Sequence, residues 1–323
     1  MPGVLLALAV AIVATLLGRA VPIVGGPVFA ILIGAVIAAV RPPGPALQPG
    51  IAFASKSLLQ WSIVLLGANL SIREIAQGGA RSLPVMLGTL VIVLVLAYAV
   101  GRALGLERDV RRLVGIGTAI CGGSAIAAVA SVIEADQVDI AYSLGVVFLF
   151  NVVAVLVFPA LGHVLALSQH AFGLWAGTAI NDTSSVVAAS FAYGHDAGNT
   201  AVIVKLTRTL LIVPIVLYYG WRRLRWACEG EPGIDWRGVV PWFVLWFLVA
   251  AALNSFGLIP AVAKEPLQLL ALFAITVALA AVGLGTEFAR IKAAGLRPLL
   301  LGAILWVAIA ASSLAIAHVT HGI

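Results

Sequence analysis

The stretch Gly177 to Ser190, GTAINDTSSVVAAS, decides how the rest of this chain is read. It gathers Asn181, Asp182, Thr183, Ser184 and Ser185 inside a sequence that is otherwise almost continuously apolar. In hydrocarbon an unpaired polar group is costly, so such a run is expected only where it is buried in protein or lines a wet cavity. Asn, Asp, Thr and Ser also favour helix starts, because their side chains accept hydrogen bonds from the free first-turn N–H groups. A helix that begins at membrane depth presents a positive dipole end and free donors to whatever lies in front of it. The stretch is therefore expected to form half of a binding site for an anion.

The composition around it sets the class. Of 323 residues 62% are hydrophobic and only 10% are charged, and the mean hydropathy is +1.13. These values lie far outside the range of soluble globular domains and indicate a polytopic helical membrane protein. The net charge of +6 does not point to nucleic acid, because the basic residues sit in short loops between apolar runs, the pattern that sets membrane orientation. Cys121 and Cys228 form no spaced metal or redox motif, and the five histidines show no ligand spacing, so no metal and no cofactor is expected.

A membrane span needs about 20 apolar residues. Eleven candidate segments are found, near residues 2 to 18, 23 to 40, 55 to 71, 84 to 104, 112 to 133, 139 to 162, 171 to 193, 198 to 220, 238 to 254, 267 to 286 and 298 to 318. Prolines, including Pro22, Pro27, Pro84, Pro241, Pro266 and Pro298, are read as boundary marks. One integral domain, residues 1 to 323, accounts for the whole length. Three basic loops, marked by Arg102 to Arg112, Arg222 to Arg237 and Arg290 to Arg297, are expected on the inside. If every segment crosses, the acidic turn of Glu134, Asp136 and Asp139 lies outside.

The chain echoes itself twice. Gly117-Thr-Ala-Ile-Cys-Gly-Gly-Ser-Ala-Ile-Ala-Ala resembles Gly177-Thr-Ala-Ile-Asn-Asp-Thr-Ser-Ser-Val-Val-Ala, with Pro159 loosely opposite Pro214. Gly67-Ala-Asn-Leu-Ser-Ile-Arg-Glu-Ile resembles Gly283-Leu-Gly-Thr-Glu-Phe-Ala-Arg-Ile. The second pair has opposite directions, as in an inverted repeat. The first pair obeys that rule only if its members are re-entrant hairpins from opposite faces or the crossing count is off by one. The reading leans toward broken helices that meet at the midplane.

The glycines of Cys121-Gly122-Gly123-Ser124 favour a helix break, and Thr118 and Ser124 add hydroxyls. Together with Asn181, Asp182, Thr183, Ser184 and Ser185 they are expected to converge on one ligand. Lys205 and Arg208 lie three residues apart, well inside an apolar segment, where a charge needs a partner or a function. Two readings stand side by side: an anion-coordinating pair, with Arg208 suited to bidentate oxyanion contact, and a structural ion pair with Asp182. Asp182 is also a candidate carrier of a coupling proton. Asn69, Gln60 and Asn151 are further polar groups in apolar segments, and Glu287 is read as a loop charge.

With ICGGSAIAA at Ile120 to Ala128, NDTSSVVAA at Asn181 to Ala189 and VKLTR at Val204 to Arg208 in view, the chain resembles the YeiH-type sulfate exporter family of bacterial inner-membrane proteins. It is similar, more distantly, to bile-acid-symporter-like transporters, whose two repeats carry discontinuous helices. The order of the echoes departs from a simple tandem of such repeats. The resemblance implies an all-α multi-pass protein of the inner (plasma) membrane, without enzymatic activity. Its implied function is export of a small oxyanion, sulfate or an organic sulfonate, by alternating access. A sodium- or proton-coupled importer of organic anions is the alternative, and an intramembrane enzyme using Asp182, Cys121 or Ser124 is a third reading. The expected partners are a small anion, a coupling proton or sodium ion, the lipid bilayer and a second copy of the chain in a homodimer.

Overall fold

A chain this apolar must satisfy its backbone internally, and helices do so within one segment. The computed structural model describes residues 2–20, 25–224, 242–286 and 295–321, and every regular element among them is helical. In chain order these are α1 (Pro2–Ala20), α2 (Gly25–Val40), α3 (Gln48–Ala52), a π-helical turn (Phe53–Leu58) and α4 (Leu59–Gly67). Next come α5 (Ile72–Ala103), α6 (Arg108–Ala119), α7 (Gly123–Ile133), α8 (Gln137–Val164), α9 (Gln169–Ala179) and α10 (Thr183–Tyr193). The chain continues with α11 (His195–Thr209), α12 (Ile212–Leu224), α13 (Trp242–Ser255), α14 (Ala261–Leu284) and α15 (Leu296–His321).

Seven of these helical stretches are long and apolar enough to cross a membrane, so the protein is a multi-pass helical membrane protein. The described part of each of the eleven apolar segments read from the sequence falls largely on helix; a turn at 210–211 interrupts segment 198 to 220, and segments 112 to 133 and 171 to 193 are each split in two. Cys228, Glu287, Arg237, Arg290 and Lys292, with part of the second echo, lie outside the described residues. Proline fails as a boundary mark at Pro84 and Pro266, which lie inside α5 and α14. Inside a packed bundle neighbouring helices tolerate the lost hydrogen bond, so the residue does not end the element.

The two split segments are hairpins, not broken helices that run straight on. At the far ends of α9 and α10, Phe172 and Tyr193 stack with ring centroids 3.8 Å apart, and the Tyr193 hydroxyl donates to the Leu167 carbonyl. Two straight half-helices of 11 residues each would hold those rings roughly 30 Å apart at 1.5 Å per residue. In the first hairpin Gly117 of α6 packs directly on Ile126 of α7. Asp139, beyond the far end of α7, lies in electrostatic range of Glu107 and Asp109 at the start of α6. The acidic turn therefore sits at the same end as Arg108 to Arg112, which corrects its placement opposite them. The chain crosses once between the hairpins, along α8, so they enter from opposite ends.

Small residues let the surrounding helices approach closely. Gly34 of α2 and Gly283 of α14 face each other so tightly that a methyl group on either runs into the other helix's backbone. The helices of the second echo also pack in pairs, α4 on α14 and α5 on α15. Ser71 and Glu74 close a reciprocal cap at the start of α5, with Glu74 N–H donating to Ser71 Oγ at 3.1 Å and Ser71 N–H to Glu74 Oε2 at 2.7 Å. Trp175 of α9 stacks on Phe158 of α8, 4.3 Å between centroids, and its indole N–H donates to the Ala310 carbonyl of α15 at 3.0 Å. These contacts fix the second hairpin in depth.

Candidate functional site

Each hairpin tip leaves one helix ending and another beginning at the centre of the molecule, so carbonyls and N–H groups without intrahelical partners meet there. At the first tip Gly122 adopts φ 69° and ψ −128°, a conformation open to glycine and strained for any residue with a side chain. Its N–H donates back to the Gly117 carbonyl at 2.9 Å. At the second tip Asp182 caps α10, its carboxylate accepting from the Ser184 N–H at 2.9 Å and from the Ser184 hydroxyl. The Asp182 N–H donates to Asn151 Oδ1 of α8 at 3.2 Å. A Cβ on Gly122 would lie 3.5 Å from that of Asp182, so the tips touch. Gly122→Ala is expected to lower stability by about 1–3 kcal/mol through its backbone alone. Thermal melting of the purified protein checks this, and an unchanged midpoint speaks against the strained geometry.

Lys205 and Arg208, both fully buried, come from α11 and grip the two ending helices. Lys205 Nζ donates to the Ile120 carbonyl at 2.7 Å and to the Ile180 carbonyl at 2.9 Å. Arg208 donates from Nε to the Ala119 carbonyl at 2.8 Å, from Nη2 to that of Thr118 at 3.2 Å, and from Nη1 to that of Thr178. Each cation thus bridges both tips. Carbonyls at a helix C-terminus carry a partial negative charge, which is what cations there satisfy. Neither side chain forms an ion pair with Asp182, although that carboxylate lies in electrostatic range of Lys205. In this structure the donors of both side chains meet backbone carbonyls, where the sequence suggested an anion or the Asp182 carboxylate.

The beginning helices face the other way, into a cavity of about 270 Å³. Ser124, Asp182, Thr183 and Ser184 line it, joined by Ser55, Lys56 and Gln60 from the region of the π-helical turn. Thr118, Cys121, Gly122, Gly123, Asn181 and Ser185 instead form the tips and their support, and lie outside this lining. Cys121 is a free, buried thiol, and Asn181 is buried with its Oδ1 lacking a hydrogen-bond partner. Gln60 lines the cavity and Asn151 holds the second tip, whereas Asn69 does neither. Lys56 was not legible as a site residue because it stands at the edge of an apolar segment. The signal that marks it is its spacing of four from Gln60, which puts both on one helix face. A π turn at that place is itself a common mark of function.

The family model described as conserved hypothetical protein 698 matches residues 2–302. The chain belongs to this family. It is 40% identical over 321 residues to a UPF0324 membrane protein of Streptococcus agalactiae, covering 97% of this chain and 95% of that one. A UPF0324 membrane protein of Streptococcus pneumoniae is 42% identical over 320 residues, with 97% and 95% covered. One of Streptococcus pyogenes is 42% identical over 325 residues, with 98% and 96% covered. These names give the family a membrane location, in agreement with the apolar helices, and none carries the sulfate-exporter designation. No solved structure matches the chain.

Proposed function

We propose that this member of the family is a secondary transporter of a small oxyanion, sulfate or an organic sulfonate, working by alternating access in the export direction. The observation that carries this reading is the cavity of about 270 Å³ onto which the N-terminal ends of α7 and α10 open beside Lys56. A helix N-terminus is worth about half a positive charge, so two of them with one lysine offer roughly +2, which the Asp182 carboxylate in the same lining reduces to roughly +1. On the opposite side of the tips, the cations of Lys205 and Arg208 stand against about one negative charge from two helix C-termini. The hydroxyls of Ser55, Ser124 and Thr183 and the amide of Gln60 supply donors for the oxygens. Hairpins from opposite ends, with echoed helices packed in pairs, support an inverted repeat, an architecture on which many alternating-access transporters are built.

Coupling to sodium through the helix breaks finds no support in this arrangement. The carbonyls that would surround a cation at the tips already bind the tethered cations of Lys205 and Arg208. Among the described residues Asp182 is the carboxylate in the cavity lining, and it is the candidate proton carrier. Purified protein in liposomes is expected to move labelled sulfate or a small sulfonate down an imposed proton gradient and to ignore a sodium gradient. Asp182→Asn keeps a good helix cap and is expected to retain anion binding while losing the response to the proton gradient. Absence of flux for every small oxyanion tested would overturn the reading.

A further inference from the structure

A second cavity, of about 380 Å³, lies at the basic end of the molecule, between the start of α6 and the end of α12. Arg108, Arg111 and Arg112 of α6 and Arg222 of α12 line it, with Tyr98 and Tyr219. Membrane orientation explains why arginines stand at this end. It does not explain why four of them, from helices far apart in sequence, turn onto one cavity whose lining contains no carboxylate among the described residues. Among the described residues Arg112 pairs with Asp109 at 3.0 Å, and Arg108, Arg111 and Arg222 have no ion pair. Arg111 Nε is buried without any hydrogen-bond partner. The aromatic rings hold two of the guanidinium groups, Arg111 5.8 Å from the Tyr98 centroid and Arg112 5.7 Å from that of Tyr219. Glu107, the residue before α6, makes no side-chain cap.

We propose that this cavity is a second anion site, built for a phosphate-type group and separate from the one at the hairpin tips. Guanidinium forks match the paired oxygens of a tetrahedral oxyanion, and Arg is the side chain suited to hold one in two directions at once. A cavity of this size lies within the range of small-ligand pockets, roughly 300–1,000 Å³, and leaves room beyond a bare phosphate. The bound group ties the start of the first hairpin to α12, which follows directly on the helix that carries Lys205 and Arg208. It is thus placed to steady one hairpin relative to the helix that grips its tip. Both a soluble phosphate and the headgroup of an anionic lipid have this chemistry.

The test uses the full-length protein purified in detergent, with two probes. Inorganic phosphate is titrated by calorimetry, and phosphatidylglycerol against phosphatidylcholine is compared by native mass spectrometry. Wild type is expected to bind at least one anionic probe, with binding to phosphate assigning a soluble ligand and selective retention of phosphatidylglycerol assigning a lipid. Arg111→Gln and Arg222→Gln are each expected to weaken that binding by roughly tenfold, the effect of one charge-assisted contact. Lys56→Gln strikes the other cavity and is expected to leave the part of the binding lost in the arginine variants unchanged, which separates this site from the transport site. Arg111→Lys and Arg222→Lys, which keep the charge and lose the fork, serve where a glutamine variant fails to fold, and an intermediate loss is expected. Equal binding by wild type and all four arginine variants, or binding of neither probe by wild type, overturns the proposal.

Discussion

Arg208→Gln is expected to be the most destabilising single polar substitution at the centre of this protein, at about 3–5 kcal/mol, the range for breaking a buried charged network on one side. The guanidinium satisfies carbonyls of both hairpins at once, through Ala119, Thr118 and Thr178. Charge-assisted bonds contribute about 1.5–3 kcal/mol each, against the cost of keeping an ion out of water. Glutamine has one amide donor group to offer where three bonds existed, and it leaves carbonyls bare in a fully buried region. Lys205→Gln removes two such bonds and is expected to follow at a smaller cost. The pair shares both tips, so the double variant should deviate from additivity. Fluorescence-detected gel filtration and thermal melting read the effect. Wild-type stability in Arg208→Gln would show that the carbonyl contacts do not hold the tips together. The double variant is thus expected to lose anion binding by losing its fold, not by removing ligands from an intact site.

Lys56→Gln is expected to do the opposite, sparing the fold and reducing oxyanion binding and flux by about 10- to 100-fold, the value of one charge-assisted contact. The residue is solvent-exposed at the π-helical turn and has no role in the core. Among the described residues its ammonium is the one positive side chain in the lining of the tip cavity. Glutamine keeps a donor and a similar length but removes the charge, and Lys56→Arg restores it. Labelled sulfate uptake into proteoliposomes, with melting temperature measured alongside, separates the two effects. Equal flux in Lys56→Gln and wild type would remove the lysine from the site.

The class of the protein was legible because apolar content and segment length act locally. A run of about 20 apolar residues can only be helix in lipid. The break points were legible for the same reason. Gly122 was marked by its freedom at positive φ, and Asp182 by the capping ability of a short polar side chain, and both depend on a few adjacent residues. That Lys205 and Arg208 needed partners also followed from burial alone. Which partners they found did not, because they bond residues 85 and 25 positions away for the lysine and 90, 89 and 30 for the arginine.

The tertiary structure decided the rest. A helix break looks the same in sequence whether the chain runs on or turns back, and here the stacking of Phe172 on Tyr193 and the fit of Gly117 against Ile126 make it turn back. That turn moves the acidic residues to the basic end, points both pairs of helix ends at each other, and leaves the cations on the carbonyl side. It also brings Lys56 to the N–H side, across more than 120 residues of chain from Asp182. Local chemistry determined where the backbone breaks and that the breaks must be satisfied. Long-range packing determined which side of each break meets a charge of the protein's own and which side stays open to a ligand.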